Sequence, residues 1–204
     1  MGRYLGPKGR LVRREGINLF ERPKYAKILE KRPSRPGMHG SSPKKSSGFA
    51  LQLREKQKLR YMFGLSNDQL ERYVEKAVKK KGVTTEYLMK QLEMRLDNVL
   101  YRCGLALTRP QARQMSTHGH FLLNGRRVDI PSHPVKVGDV IQLRPRLKNS
   151  KLYPHVLEEN KGYKPLRWLS VDPKELKAEV VGEPTHEDFE KLIDVRKIVE
   201  YYSR

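Results

Sequence analysis

Thr108-Arg109-Pro110-Gln111-Ala112-Arg113-Gln114-Met115-Ser116-Thr117-His118-Gly119-His120-Phe121-Leu122-Leu123-Asn124-Gly125-Arg126-Arg127-Val128 holds a helix, a strand and a tight turn in 21 residues. Thr108 is an N-cap residue, and Pro110 falls in the first helical turn, where its missing N–H costs little. Ala112 and Met115 face inward. His118-Gly119-His120 ends the helix, Phe121-Leu122-Leu123 is a short strand, and Asn124-Gly125 is a strong hairpin signal. Val137-Gly138-Asp139 is a second turn, leading into a strand over Val140–Arg144. Upstream, Leu92, Leu96, Val99, Leu100 and Cys103 recur at i, i+4, i+7, i+8 and i+11, which predicts one amphipathic helix stopped by Gly104. Residues 93–157 therefore read as two helices followed by a short antiparallel sheet.

Outward from that unit the texture changes. Residues 51–92 are helical. Leu51, Leu59, Met62 and Phe63 share an apolar face, and Gly64 is placed to close the helix. Ser66-Asn67-Asp68 offers a cap for a second helix carrying Leu70, Tyr73, Val74, Ala77 and Val78. Lys79-Lys80-Lys81 at its end suits the helix dipole. Thr84-Thr85-Glu86 opens a third helix. Residues 1–50 form an arm rich in Gly, Pro, Ser and cations, with too little apolar area to fold fully alone. Its Pro33–Lys45 stretch is a chain of turn signals, expected to order on a partner. Residues 158–204 are expected to pack back on the helical domain, with loops around Pro154, Pro165 and Trp168. A helix start is expected at Pro184–Asp188 and an apolar close at Val195, Ile198, Val199, Tyr201 and Tyr202. The fold class is α+β: a mostly helical domain with a basic arm, plus the small helix-and-sheet unit.

Charge narrows the function. Lys and Arg number 43 against 23 Asp and Glu, a net +20. By segment the balance is +10 over residues 1–50, +5 over 51–92, +6 over 93–150 and −1 over 151–204. Such a surplus repels itself unless a polyanion neutralises it. A membrane surface would call for one concentrated basic amphipathic helix. Charge spread over an arm and two folded segments fits an extended, irregular polyanion, so nucleic acid is the expected partner and a membrane is not. No apolar run approaches the length of a membrane span, and Met1–Lys8 is not followed by the apolar stretch of a secretory signal. Lone Cys103 lies at an apolar helix position and reads as a small core residue; it can form no intrachain disulfide and no cysteine metal site. There is no phosphate-binding glycine loop and no Gly-x-Ser-x-Gly elbow. His118-Gly119-His120 lacks the further ligands of a metal site. No metal, no cofactor and no catalytic residues are expected.

The helix with Arg109, Arg113 and Gln114, followed by the Asn124-Gly125-Arg126-Arg127 turn, offers cations that reach phosphates from rigid backbone. Arg109 and Arg113, one turn apart, are placed on an outward face. Taken singly each arginine also fits a solvated surface charge, and Asn124-Gly125 fits a purely structural turn. With few exposed aromatics, the unit should recognise backbone shape and 2′-hydroxyls in structured RNA.

Three stretches carry a resemblance: Arg95-Leu96-Asp97-Asn98-Val99-Leu100-Tyr101-Arg102, Thr108–Gln114 and Leu123-Asn124-Gly125-Arg126-Arg127-Val128. They resemble the S-four RNA-binding domain, a module that some pseudouridine synthases and tyrosyl-tRNA synthetases also contain. Arg3-Tyr4-Leu5-Gly6-Pro7, Arg13-Arg14-Glu15-Gly16, Pro36-Gly37-Met38-His39-Gly40 and Gln52–Arg60 extend the likeness nearly end to end. Together the chain resembles bacterial or organellar small-subunit ribosomal protein S-four. The resemblance implies a structural protein that binds a multi-helix junction of 16S ribosomal RNA and nucleates assembly of the subunit body. It further implies contact with ribosomal protein S-five, a place near the channel by which mRNA enters, and an effect on decoding accuracy. Location would be the cytoplasmic ribosome, or an organelle's matrix or stroma. Some members hold zinc through cysteines in the arm; this arm has none. The rRNA-binding residues expected are Arg3, Lys8, Arg10, Arg13, Arg14, His39, Lys44 and Lys45 in the arm. Arg54, Lys56, Lys58 and Arg60 are expected on the first helix of the helical domain. Arg95, Thr108, Arg109, Arg113, Gln114, His118, Asn124, Gly125, Arg126 and Arg127 are expected in the small unit. The rivals are an RNA-modifying enzyme, for which the flanking segments are too short and too basic, and a DNA-compacting protein.

Overall fold

The computed structural model describes residues 4–42, 47–148, 150, 152–160, 162–173, 175–189 and 191–203. Arg3, Lys44 and Lys45 lie outside the described residues. The chain divides into two compact units, residues 1–85 with 190–204, and residues 86–189.

The first unit is helical: α1 (Lys8–Glu15), α2 (Pro23–Lys31), α3 (Gly48–Met62), α4 (Asn67–Val78) and α9 (Val195–Tyr202). Its first two helices stand where the sequence indicated an arm with too little apolar area to fold fully alone. Leu11, Val12 and Leu19 are buried despite the basic composition around them. α1 packs on α2, and the Arg13 guanidinium donates to the carbonyls of Ser34 and Arg35, tying the turns after α2 back to α1. A few apolar side chains placed on one side suffice when backbone carbonyls are satisfied as well. α3 ends at Gly64 as its sequence indicates, with the Leu65 N–H closing on the Arg60 carbonyl. Ser66 and Gln69 form a reciprocal capping box that starts α4. α9 lies along α3 with Ile198 fully buried. Glu55 of α3 accepts from both Lys58 and the Asp194 backbone N–H, which fixes where α9 begins.

The second unit begins within α5 (Thr84–Glu93) and contains α6 (Leu96–Arg102), α7 (Arg109–Thr117) and α8 (Leu152–Glu159). Its strands are β1 (Phe121–Leu123), β2 (Arg126–Arg127), β3 (Val140–Leu143), β4 (Leu169–Asp172) and β5 (Lys177–Val180). They form one antiparallel sheet in the order β2-β1-β3-β5-β4. Phe121, Ile141, Leu143, Ala178 and Val180 point from it into a core shared with Val99, Leu100, Ala112, Met115 and Trp168. Cys103 belongs to that core, and burial pushes its thiol pKa up.

Three sequence expectations are revised here. The helix read across 92–103 is broken at Met94 and Arg95, where Arg95 is extended and bridges Pro134. The N–H groups of Leu96 and Asp97 go to the carbonyls of His133 and Pro131, and Val135 donates to the Met94 carbonyl. Hydrogen bonds to a distant loop outcompete a continuous helical period. The segment after residue 157 is divided rather than packed whole on the helices, because β4 and β5 complete the sheet and 190–204 joins the first unit. At His186–Asp188 only one 3₁₀ turn forms, and the terminal helix starts later, on the Asp194 cap.

Leu19→Ala is expected to lower the unfolding free energy by about 2–5 kcal/mol, the usual result of truncating a fully buried leucine. Urea unfolding checks this; an unshifted midpoint would mean that residues 4–42 contribute no core.

Candidate nucleic-acid interface

The break between α5 and α6 concentrates polar groups where an uninterrupted helix would have spread them. Glu93 is completely buried. Its carboxylate accepts two bonds from Arg102, Nε at 3.0 Å and Nη2 at 2.9 Å, and one from Asn98 Nδ2 at 2.6 Å. Asn98 passes the link on, its Oδ1 accepting from Arg109 Nε at 2.9 Å. Beside this chain Asp97 accepts a two-pronged bond from Arg95, at 3.0 and 2.7 Å, and a third from Arg113 Nη1 at 3.2 Å. The Arg109 guanidinium lies 4.5 Å from the Tyr101 ring centroid, in cation–π range.

Three arginines, Arg95, Arg102 and Arg113, thus bond two carboxylates, and Arg109 joins the network through Asn98 where α6 meets α7. A buried carboxylate is tolerable only when its lone pairs are met, and these are met by planar forks. Three site residues are therefore not as the sequence placed them. Arg95 is 1% exposed and closed on Asp97, so it acts from inside the fold. Arg109 and Arg113 are half-buried flanking residues rather than an outward face. The outward face of α7 is Pro110, Gln114, Thr117 and His118, at i, i+4, i+7 and i+8. Thr108 caps α7 through the Gln111 N–H. Asn124 stands at φ +49° with its side chain bonded to Asp139 and Val140, and Gly125 at φ +79° completes a left-handed pair that glycine suits. These two residues build the hairpin that presents exposed Arg126 and Arg127.

Arg127 folds back over the end of α7. A side chain at Gly119 would place its Cβ 2.4 Å from Arg127 Nε, and Gly119 also holds φ +62°. Arg144 Nη1 donates to the Gly119 carbonyl at 3.2 Å, and His120 Nδ1 lies 2.8 Å from the Tyr153 hydroxyl.

In the first unit Arg10 and Arg14 are exposed, one turn apart on α1, and His39 is exposed. Lys8 lies 5.1 Å from the Phe20 ring centroid. On α3 the basic residues are engaged internally. Arg54 pairs with Glu15 and Lys58 with Glu55, buried Lys56 sits against Tyr201 and Tyr202, and buried Arg60 against Tyr61. Burial raises the Glu15 pKa, with the Arg54 charge opposing the rise. Sequence reasoning passed over Lys24, Lys27 and Lys31, whose i, i+3, i+7 spacing makes an exposed stripe on α2, and over Arg144, Arg146 and Lys148 after β3. The first set was findable from that spacing once α2 was recognised; the second was hidden among loop residues. Among the described residues no three His, Cys, Asp or Glu side chains gather as a metal site, and no helix is long and apolar enough to cross a membrane.

Comparison with known proteins gives a consistent picture. Residues 3–93 match the family described as ribosomal protein S4/S9 N-terminal domain, and residues 94–141 match the S4 domain. The chain is 46% identical to the small ribosomal subunit protein uS4 of Roseiflexus castenholzii and 48% identical to that of Acetivibrio thermocellus. It is 46% identical to that of Thermus thermophilus. Each match covers 100% of both chains.

Glu93→Ala should cost about 3–5 kcal/mol of stability, since it strands Arg102 and Asn98 in a dry site. Gly119→Ala should be destabilising as well, through left-handed strain and collision with Arg127. Thermal and urea denaturation of the two variants measure both effects.

Proposed function

Because the chain belongs to the small ribosomal subunit protein uS4 family, we propose that it grips 16S ribosomal RNA directly at a multi-helix junction and nucleates assembly of the subunit body. Membership makes it a structural, non-enzymatic constituent of the small ribosomal subunit that works in translation and carries an S4 RNA-binding domain. The finer reading adds a contribution to decoding accuracy together with ribosomal protein S-five, and a position near the mRNA path. The ribosome in question is the cytoplasmic one, or that of an organelle's matrix or stroma.

One observation supports the RNA reading: Arg95, Arg102 and Arg113 are held by two buried carboxylates and Arg109 by Asn98, so guanidinium groups stand on a rigid support. Preset cations lose little side-chain entropy when they meet phosphates. The contact residues proposed on that support are Gln114, His118, Arg126 and Arg127; in the first unit Arg10, Arg14, His39 and the α2 lysines are proposed separately. Arg3, Lys44 and Lys45 are proposed with them on charge alone. Arg95, Lys56, Arg60, Thr108 and Asn124 shape the surface, and Arg109 and Arg113 supply its field from the flank. Such a surface tracks backbone geometry and 2′-hydroxyls, which favours a folded RNA over duplex DNA.

A transcript of the 16S 5′-domain junction should outcompete duplex DNA at physiological salt. Its log affinity should fall with log salt by roughly 0.7–0.9 per phosphate contacted. Arg126→Gln should weaken binding and shrink that slope by about one contact while leaving the melting temperature unchanged. Filter-binding titrations over a salt series decide it, and equal affinity for duplex DNA would defeat the reading.

A further inference from the structure

The groups around Gly119 form a second cationic centre that the arginine network does not use. His118 caps α7, His120 leads into β1, Arg127 arrives from β2 and Arg144 follows β3. Arg127 rests on Gly119, at a separation only a residue without Cβ permits, and Arg144 binds the Gly119 carbonyl. The His118 and His120 rings lie 5.9 Å apart. Tyr153, 1% exposed, sits 2.8 Å from His120 Nδ1. Taking Nδ1 as the acceptor of the phenol proton puts the neutral ring's proton on Nε2, and the phenol oxygen can accept in turn from a protonated Nδ1. Tyr153 thereby pins the ring's orientation.

We propose that His118, His120, Arg127 and Arg144, gathered around Gly119, form a phosphate-binding site whose occupation by an RNA phosphodiester takes up a proton from solvent. The inference rests on the RNA-binding reading above and adds its regulation by pH. Burial first, and then the like charges of His118 and Arg144, hold the His120 pKa of the free chain below the usual 6.5. The ring is then neutral at pH 7, with Tyr153 on one nitrogen. A phosphodiester among the four groups reverses the balance, because an anion within hydrogen-bond reach favours the imidazolium. His120 then donates from both nitrogens, Nδ1 to the Tyr153 oxygen and Nε2 to the phosphodiester.

The sign follows from linkage. The bound state holds more protons than the free state between the depressed free pKa and the raised bound pKa. Affinity therefore grows as pH falls through that window and is lost as pH rises above the bound value. One proton taken up corresponds to at most about tenfold in affinity per pH unit.

The test titrates the full chain with the 16S 5′-domain junction transcript from pH 8 to pH 5.5 at fixed salt, beside the H118Q/H120Q double variant. The expected result is a wild-type affinity that rises about three- to tenfold per pH unit below neutrality, against a flat profile for the variant. NMR titration of the imidazole protons in the wild-type chain, with and without the transcript, supplies a readout independent of the variant's folding. RNA should move at least one histidine pKa upward. Strong binding with a pH-flat wild-type profile, an unchanged slope in the variant, or histidine pKa values unmoved by RNA would each overturn this inference and leave the RNA reading intact. Absence of transcript binding at every pH would overturn both.

Discussion

A carboxylate with no access to water governs the second unit. Glu93 ends α5, and its two oxygens are occupied by Arg102, from the far end of α6, and by Asn98 within it. An ionised group in such a place would be costly unless every lone pair found a donor. Meeting that demand sets where α6 starts, how it is rotated, and through Asn98 and Arg109 how α7 begins. Asp97 makes the same demand one step along and is met by Arg95 and Arg113. Both acids are met by guanidinium groups, so the arginines of this network are held in place from beneath. Hydrophobic packing of Val99, Leu100, Ala112 and Met115 supplies most of the burial beneath. Packing of that kind is non-directional, however, and does not aim a guanidinium.

The first unit uses its cations differently. Those on α3 are turned inward, against carboxylates or aromatic rings, and support the seam with α9. Long basic side chains cover apolar surface with their stems, so Lys56 and Arg60 serve as packing elements as much as charges. α1 and α2 present exposed lysine and arginine in helical stripes. The two units thus reach a similar chemistry by separate routes: a saturated acid pair in one, a division of labour between inner and outer helices in the other.

Local chemistry was legible in the sequence, and long-range competition was not. Ser66, Thr108 and the Asn124-Gly125 pair behave as their types dictate, because capping and tight turns depend on residues within three or four positions. The α5–α6 break was invisible because apolar spacing from Leu92 to Cys103 continues across it. What breaks the helix is a set of hydrogen bonds to residues 131–135, which no local pattern contains. β4 and β5 escaped notice because no Asn-Gly or comparable tight-turn signal marks them, as one marks β1 and β2. The α1–α2 pair escaped because its few apolar side chains are diluted by cations. At the site the positive charge was readable residue by residue. Which arginines face outward was not, since an arginine's sequence neighbours do not reveal the acid it will meet in space.

The margin of the sheet has a consequence for a protein that must wait for its partner. β4 pairs only with β5, so one side of its backbone is open. That open side is four residues long, and Pro173, which cannot donate to a ladder, follows it directly. A visiting strand would find too little ladder to hold, with the Asp172 carboxylate near its end. Copies of the chain can therefore crowd together without zipping into fibres through this edge.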